Sequence, residues 1–111
     1  MADHDAVIST HALDTERGVP AAGVSVRLEH VLADGATVEA GHGITDEDGR
    51  IRRLSRETLV PGAYRLTFDL HRYAEGFFRV IVLEIHVDDA SRSYHVPLLI
   101  APFSITTYRG S

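Results

Sequence analysis

In the segment VSVRLEHV, Val24, Val26 and Leu28 alternate with Ser25, Arg27 and Glu29, so apolar and polar side chains fall on opposite faces of an extended chain. AYRLTFDL repeats the pattern, with Tyr64, Leu66, Phe68 and Leu70 set against Arg65, Thr67 and Asp69. Both predict half-buried antiparallel strands. FFRVIVLEIHV departs from it. Phe77, Ile81, Leu83, Ile85 and Val87 occupy one face, and Phe78, Val80 and Val82 the other. YHVPLLI likewise carries apolar groups on both faces. A strand apolar on both faces needs cover on both, from a second sheet and from another subunit, so self-association is expected.

Turn chemistry interrupts these runs at short intervals, in ERGVPAAG, ADGA, DEDGR, VPGAY, DDAS and IAPF. Short strands at such spacing predict an all-β sandwich or barrel. The expected strands are 6–13, 23–32, 36–43, 50–54, 63–70, 77–87, 92–99 and 103–109. LHRYAEG reads as one or two helical turns ended by Gly76, or else as an irregular loop. No internal repeat or linker divides the chain, so one domain is expected over residues 1–111, with 1–5 flexible.

Composition narrows the function. With 11 Lys and Arg against 16 Asp and Glu, the net charge of -5 disfavours binding to a nucleic-acid backbone, which relies on a basic surface. There are no cysteines, hence no disulfides and no thiolate metal sites. MADHDAVIST lacks the basic and apolar regions of a signal peptide, and no apolar run approaches the roughly 20 residues that span a bilayer. A soluble cytoplasmic protein without a membrane partner is the expectation.

Four places carry groups that catalysis uses: His11 in STHALD, Arg50 in TDEDGRI, His95 in YHVPLL, and the closing YRGS with Tyr108, Arg109, Gly110 and Ser111. Each has a plain structural alternative. His11 fits a partly exposed strand histidine, sharing a face with Ser9 and Leu13, and Arg50 fits a basic surface patch with Arg52 and Arg53. Tyr108 and Arg109 fit an edge strand. His95 lies among apolar residues through Ile100, where an imidazole must find a hydrogen-bond partner or lose basicity. No histidines have the close spacing of a zinc site, and the glycines of AGHGITDEDG lack the lysine and strand-turn-helix context of a phosphate loop. No metal is expected.

Taken in order, STHALDTERGVPAAGVSVRLEH, GITDEDGRI, PGAYRLTFD and YHVPLLIAPFSITTYRGS resemble the 5-hydroxyisourate hydrolases, also called transthyretin-related proteins. The resemblance runs from about residue 7 to the end and is weakest at 71–86, where FFRVI replaces a pattern like FFPEV in many relatives. Its most specific part is YRGS, which separates the hydrolases from the hormone-carrying transthyretins of the same fold. It implies a transthyretin-like two-sheet β-sandwich of about eight strands with one short helix. It also implies a homotetramer, a dimer of dimers, with active sites at the mouths of a central channel.

The implied reaction opens a ring amide of 5-hydroxyisourate, giving 2-oxo-4-hydroxy-4-carboxy-5-ureidoimidazoline in urate degradation, with no cofactor. The family's catalytic histidines match His11 and His95, its arginine Arg50, and its terminal motif Tyr108, Arg109, Gly110 and Ser111. Amide opening by water needs a base, an oxyanion donor and a proton for the leaving nitrogen. A histidine pair supplies base and acid near neutral pH, and arginine offers planar donors to a carbonyl-rich ring. One histidine is expected to activate water while the other holds or relays its proton; Arg50 binds substrate oxygens, and Tyr108 and Ser111 orient the ring. Ser111 as a nucleophile is disfavoured, because such serines sit on constrained turns beside their base. Two rivals stand beside the enzyme: a transthyretin-type carrier of a small aromatic ligand, and a structural sandwich module. An apolar ligand would leave the polar set desolvated and unpaired.

Overall fold

Side-chain alternation along the strands sorts the chain into two sheets that share one interior. The computed structural model describes residues 6–73 and 75–110, so the expectation for residues 1–5 lies outside the described residues. The first sheet contains β1 (Ile8–Asp14), β2 (Val19–Pro20), β5 (Arg50–Ile51), β8 (Tyr94–Ala101) and β9 (Ser104–Thr107). Its order is β2-β1-β8-β9, with β5 also paired to β1. The second contains β3 (Ser25–Val31), β4 (Thr37–Ile44), β6 (Gly62–Asp69) and β7 (Val80–Val87), in the order β4-β3-β6-β7.

Each expected strand overlaps an observed one, and β2 is a two-residue addition. The all-β two-sheet architecture is thus as expected. Between the sheets lie Ile8, Ala12, Val96 and Leu98 of the first and Val26, Leu28, Leu66 and Phe68 of the second, all buried. Burying each larger side chain contributes roughly 1.5–3 kcal/mol. Thr10, also buried, satisfies its hydroxyl by donating to the Val96 carbonyl at 2.6 Å.

The β7 region corrects the sequence reading. The strand starts at Val80 rather than Phe77, and only Ile81, Leu83, Ile85 and Val87 face the core. On the other face Val80 and Val82 are exposed, as are Phe77 and Phe78 before the strand. The Leu70 N–H still donates to the Arg79 carbonyl at 2.9 Å, one step beyond the Asp69–Val80 pair, but the Phe77 N–H is drawn elsewhere, to the Pro102 carbonyl at 2.8 Å.

The helix expected within 70–76 does not form among the described residues. A single turn stands there, closed by the Tyr73 N–H on the Leu70 carbonyl at 3.1 Å. A segment this short gains too few backbone bonds to offset helix nucleation, and local side chains favour the turn. Asp69 Oδ1 accepts the His71 N–H at 2.9 Å and lies 2.7 Å from its Nδ1. Tyr73 then donates its hydroxyl to Asp14 Oδ2 at 2.7 Å, pinning the turn to the end of β1. Asp14 Oδ1 also accepts the backbone N–H groups of Glu16 and Arg17, at 3.1 and 3.0 Å. The Arg17 N–H leads the contributions that hold the Asp14 pKa below its usual value, while burial and the Asp14 contact push Tyr73 up to about 12.

Tyr73→Phe removes one hydrogen bond to this carboxylate without changing shape. It is expected to cost about 1.5–3 kcal/mol of unfolding free energy in urea titrations. An unchanged midpoint would mean that the turn is not anchored through Asp14.

Candidate active site

β1 and β8 run parallel, with Ser9 opposite His95 and His11 opposite Pro97. Ile8, Thr10 and Ala12 point into the core, so Ser9 and His11 stand on the outer face of the first sheet. His95 lies between the inward-facing, buried Tyr94 and Val96 and so stands on the same outer face as Ser9 and His11. β5 adds the third group, since its register sets Arg50 directly opposite His11. His11, Arg50 and His95 are thereby gathered from three strands onto one surface.

A tight turn presents Arg50. Asp46 Oδ1 accepts the N–H groups of Asp48 and Arg50, each at 2.9 Å, and the Asp46 carbonyl accepts the Gly49 N–H at 2.9 Å. Gly49 has φ 78°, a region that favours glycine, and a Cβ there would collide with the Ala12 carbonyl. The close approach lets the Ala12 N–H donate to the Gly49 carbonyl at 2.7 Å, locking the turn onto β1. The same turn holds His11, whose Nε2 lies 2.9 Å from the Asp48 carbonyl. A carbonyl only accepts, so His11 Nε2 carries a proton and Nδ1 is its remaining basic nitrogen. The Arg50 guanidinium enters none of the ion pairs found among the described residues.

His95 is half-buried, with Nδ1 2.8 Å from Ser9 Oγ. Its pKa is depressed below the ordinary 6.5, first by burial, then by the charge of Arg50 and by His11. Each of these influences favours the neutral imidazole over the imidazolium. An open cleft of about 330 Å³ lies beside it, lined by Ser9, Arg50, Ser93 and His95.

The closing segment divides. Gly110 pairs antiparallel with His95, donating its N–H to the His95 carbonyl at 2.8 Å. The Arg109 guanidinium instead lies 4.7 Å above the Tyr94 ring, a cation–π arrangement. Tyr94 is anchored in turn by donating its hydroxyl to Asp88 Oδ1 at 2.7 Å. Tyr108, 57% exposed, and Arg109 line a second cleft, which also includes Glu84 and His86 of β7 and one side of His95. Gly110 thus joins the His11, Arg50 and His95 surface, whereas the Arg109 side chain does not. Ser111 lies outside the described residues. Among the described residues no group of three or more His, Asp or Glu stands together as a metal-ligand set.

Sequence reasoning passed over Ser9 and the Asp48 carbonyl. Nothing local marks Ser9, because its partner is 86 residues away. The turn was more legible: Asp46 two residues before Asp48 and four before Arg50 is an Asx-turn pattern that orients the carbonyls around it.

The family model described as "HIUase/Transthyretin family" matches residues 8–110. The chain belongs to this family. Among its relatives, "5-hydroxyisourate hydrolase" of Deinococcus radiodurans is 42% identical, with 94% of this chain and 95% of the relative aligned. "Uric acid degradation bifunctional protein TTL" of Arabidopsis thaliana is 43% identical over 94% of this chain, which spans only 37% of that longer protein. In three dimensions, the solved Klebsiella pneumoniae 5-hydroxyisourate hydrolase is similar with a TM-score of 0.81 and 33% identity, covering 96% of this chain and 99% of that one. The HIUase/transthyretin fold is therefore shown by sequence and by structure together.

Because burial and Arg50 both disfavour the imidazolium, His95 should titrate below pH 6.5 when followed by its imidazole NMR shifts. Arg50→Gln removes one cause and should raise that midpoint. A midpoint above the ordinary value, or one insensitive to Arg50→Gln, would contradict this electrostatic picture.

Proposed function

We propose that this protein hydrolyses 5-hydroxyisourate, opening a ring amide to give 2-oxo-4-hydroxy-4-carboxy-5-ureidoimidazoline. The observation that carries the reading is the convergence of two histidines and an arginine on one face of the sheet, in a chain belonging to the HIUase/transthyretin family. The named relatives are hydrolases of this substrate or proteins of urate degradation.

In this mechanism His95 takes a proton from water as the water oxygen attacks the amide carbonyl. The Arg50 guanidinium faces the oxygen on which negative charge develops, where a fixed cation stabilises the transition state more than the ground state. The tetrahedral intermediate collapses by breaking the C–N bond, and the proton returns to the departing nitrogen. The lowered basicity of His95 makes its protonated form a better proton donor for that last step. His11 holds or relays a proton through its remaining basic nitrogen, and Tyr108 and Ser111 orient the ring by hydrogen bonds. The reading needs no cofactor. A carrier of an apolar aromatic ligand fits less well, since such a ligand would leave Arg50 and both imidazoles desolvated and unpaired.

The assembly belongs to the same proposal: a homotetramer built as a dimer of dimers, active in the cytoplasm. It is supported by two sheet edges, β7 and β9, that have no neighbouring strand on one side among the described residues. Val80, Val82, Phe77 and Phe103 beside these edges are exposed, the last at 82%. Unpaired edges with apolar side chains favour association. No helix among the described residues is long and apolar enough to cross a membrane.

The test couples the protein to urate and urate oxidase and follows the decay of 5-hydroxyisourate absorbance. Decay should exceed the spontaneous rate, and His95→Ala and Arg50→Ala should each lower turnover about 100-fold or more. Spontaneous decay alone would defeat the enzyme reading, and near wild-type turnover in either variant would remove that residue from the mechanism. Ser111→Ala should retain turnover if Ser111 binds rather than attacks.

A further inference from the structure

We propose that Ser9 is a positioning residue that holds the His95 imidazole with Nε2 facing the cleft as proton acceptor, while Gly110 closes the other edge of the ring. This deepens the hydrolytic reading above and rests on it. An imidazole has two edges beside its attachment carbon, one carrying Nδ1 and one Cδ2. Ser9 Oγ occupies the first, 2.8 Å from Nδ1. Gly110 occupies the second. A Cβ at Gly110 would lie 2.6 Å from His95 Cδ2 and 3.2 Å from both Cβ and Cγ, so the bare glycine backbone rests against that edge. Gly110 cannot drift, because its N–H is bonded to the His95 carbonyl. With both edges taken, the ring tip, Cε1 and Nε2, is what remains for substrate and water.

The type of partner matters as much as its place. The Asp48 carbonyl beside His11 can only accept, which fixes the proton on Nε2 of that ring. A hydroxyl both accepts and donates. Ser9 accepts from His95 Nδ1–H when Nε2 is the free base, and it accepts again when the ring is protonated. The hydrogen bond therefore survives proton uptake at Nε2, and the ring need not reorient during the reaction. Ser9 owes its position to the parallel register that sets it opposite His95, and its Cα neighbours Ile8 and Thr10 are core residues. The base is thus oriented from a rigid strand rather than from a loop.

The groups around His95 bear on any pH effect. Arg50 and His11 share its face, Tyr108 and Arg109 come from the closing segment, and Glu84 and His86 of β7 line the neighbouring cleft. Removing the Ser9 hydroxyl leaves all of these in place and deletes only an acceptor that favours the imidazolium.

Ser9→Ala should lower kcat about fivefold to tenfold, with KM changed by less than about twofold. The acid limb of kcat/KM should move to lower pH. Ser9→Thr, which keeps a hydroxyl, should restore both. Gly110→Ala should lower kcat as well, because its methyl group pushes the ring aside. In the wild-type protein, imidazole nitrogen NMR shifts should show His95 protonated at Nδ1 and free at Nε2, a measurement that does not depend on the variants folding. An active wild type whose Ser9→Ala variant keeps both kcat and pH profile overturns this inference alone, as does a His95 protonated at Nε2. A wild type that fails to accelerate the decay overturns the hydrolytic reading and this inference with it.

Discussion

The parallel pairing of β1 with β8 is the constraint on which the rest depends. It seats Ile8, Thr10, Ala12, Val96 and Leu98 in one layer of the core and sets Ser9, His11 and His95 on the opposite surface. Parallel neighbours cannot be joined by a tight hairpin. The chain between them builds the entire second sheet, which then covers the inner face that β1 and β8 expose. Core and candidate site are two faces of the same ladder.

The surrounding contacts give the two histidines different chemistry. His11 is tied to a backbone carbonyl in the turn that also presents Arg50, so one rigid loop sets the direction of both. His95 sits deeper, between strand and closing segment, and its basicity is lowered by burial and by the same arginine. A fixed cation beside a base of lowered proton affinity suits a reaction in which negative charge appears on substrate oxygen only as the proton leaves water. In the proposed mechanism Arg50 acts twice, lowering the proton affinity of His95 before reaction and opposing the new charge during it.

Much of this was legible in the sequence. Alternation placed β3 and β6 and assigned their inward residues correctly, because a one-residue error there would have exposed Leu28 or Phe68. The resemblance matched His11, Arg50 and His95 to the family's site, and the fold sets them side by side. Three features were not legible. The start of β7 was set three residues early, because Phe77 and Phe78 extend the apolar run although the strand begins at Val80. The segment after Leu70 had a helical composition, but Asp14 and Asp69 captured its polar groups in a turn. The Ser9 contact depends on register between strands remote in sequence, which local pattern does not encode. Register of that kind is decided by the packing of the whole sandwich.

Every group of the candidate site on β1 and β8 has core residues as its immediate chain neighbours: Ser9 and His11 flank Thr10, and His95 lies between Tyr94 and Val96. A site carried on mobile loops can lose its geometry through local opening while the domain stays folded. Here the candidate site and one layer of the buried core are carried by the same strands. Loss of the β1 and β8 part of the site and loss of the fold therefore become one cooperative event.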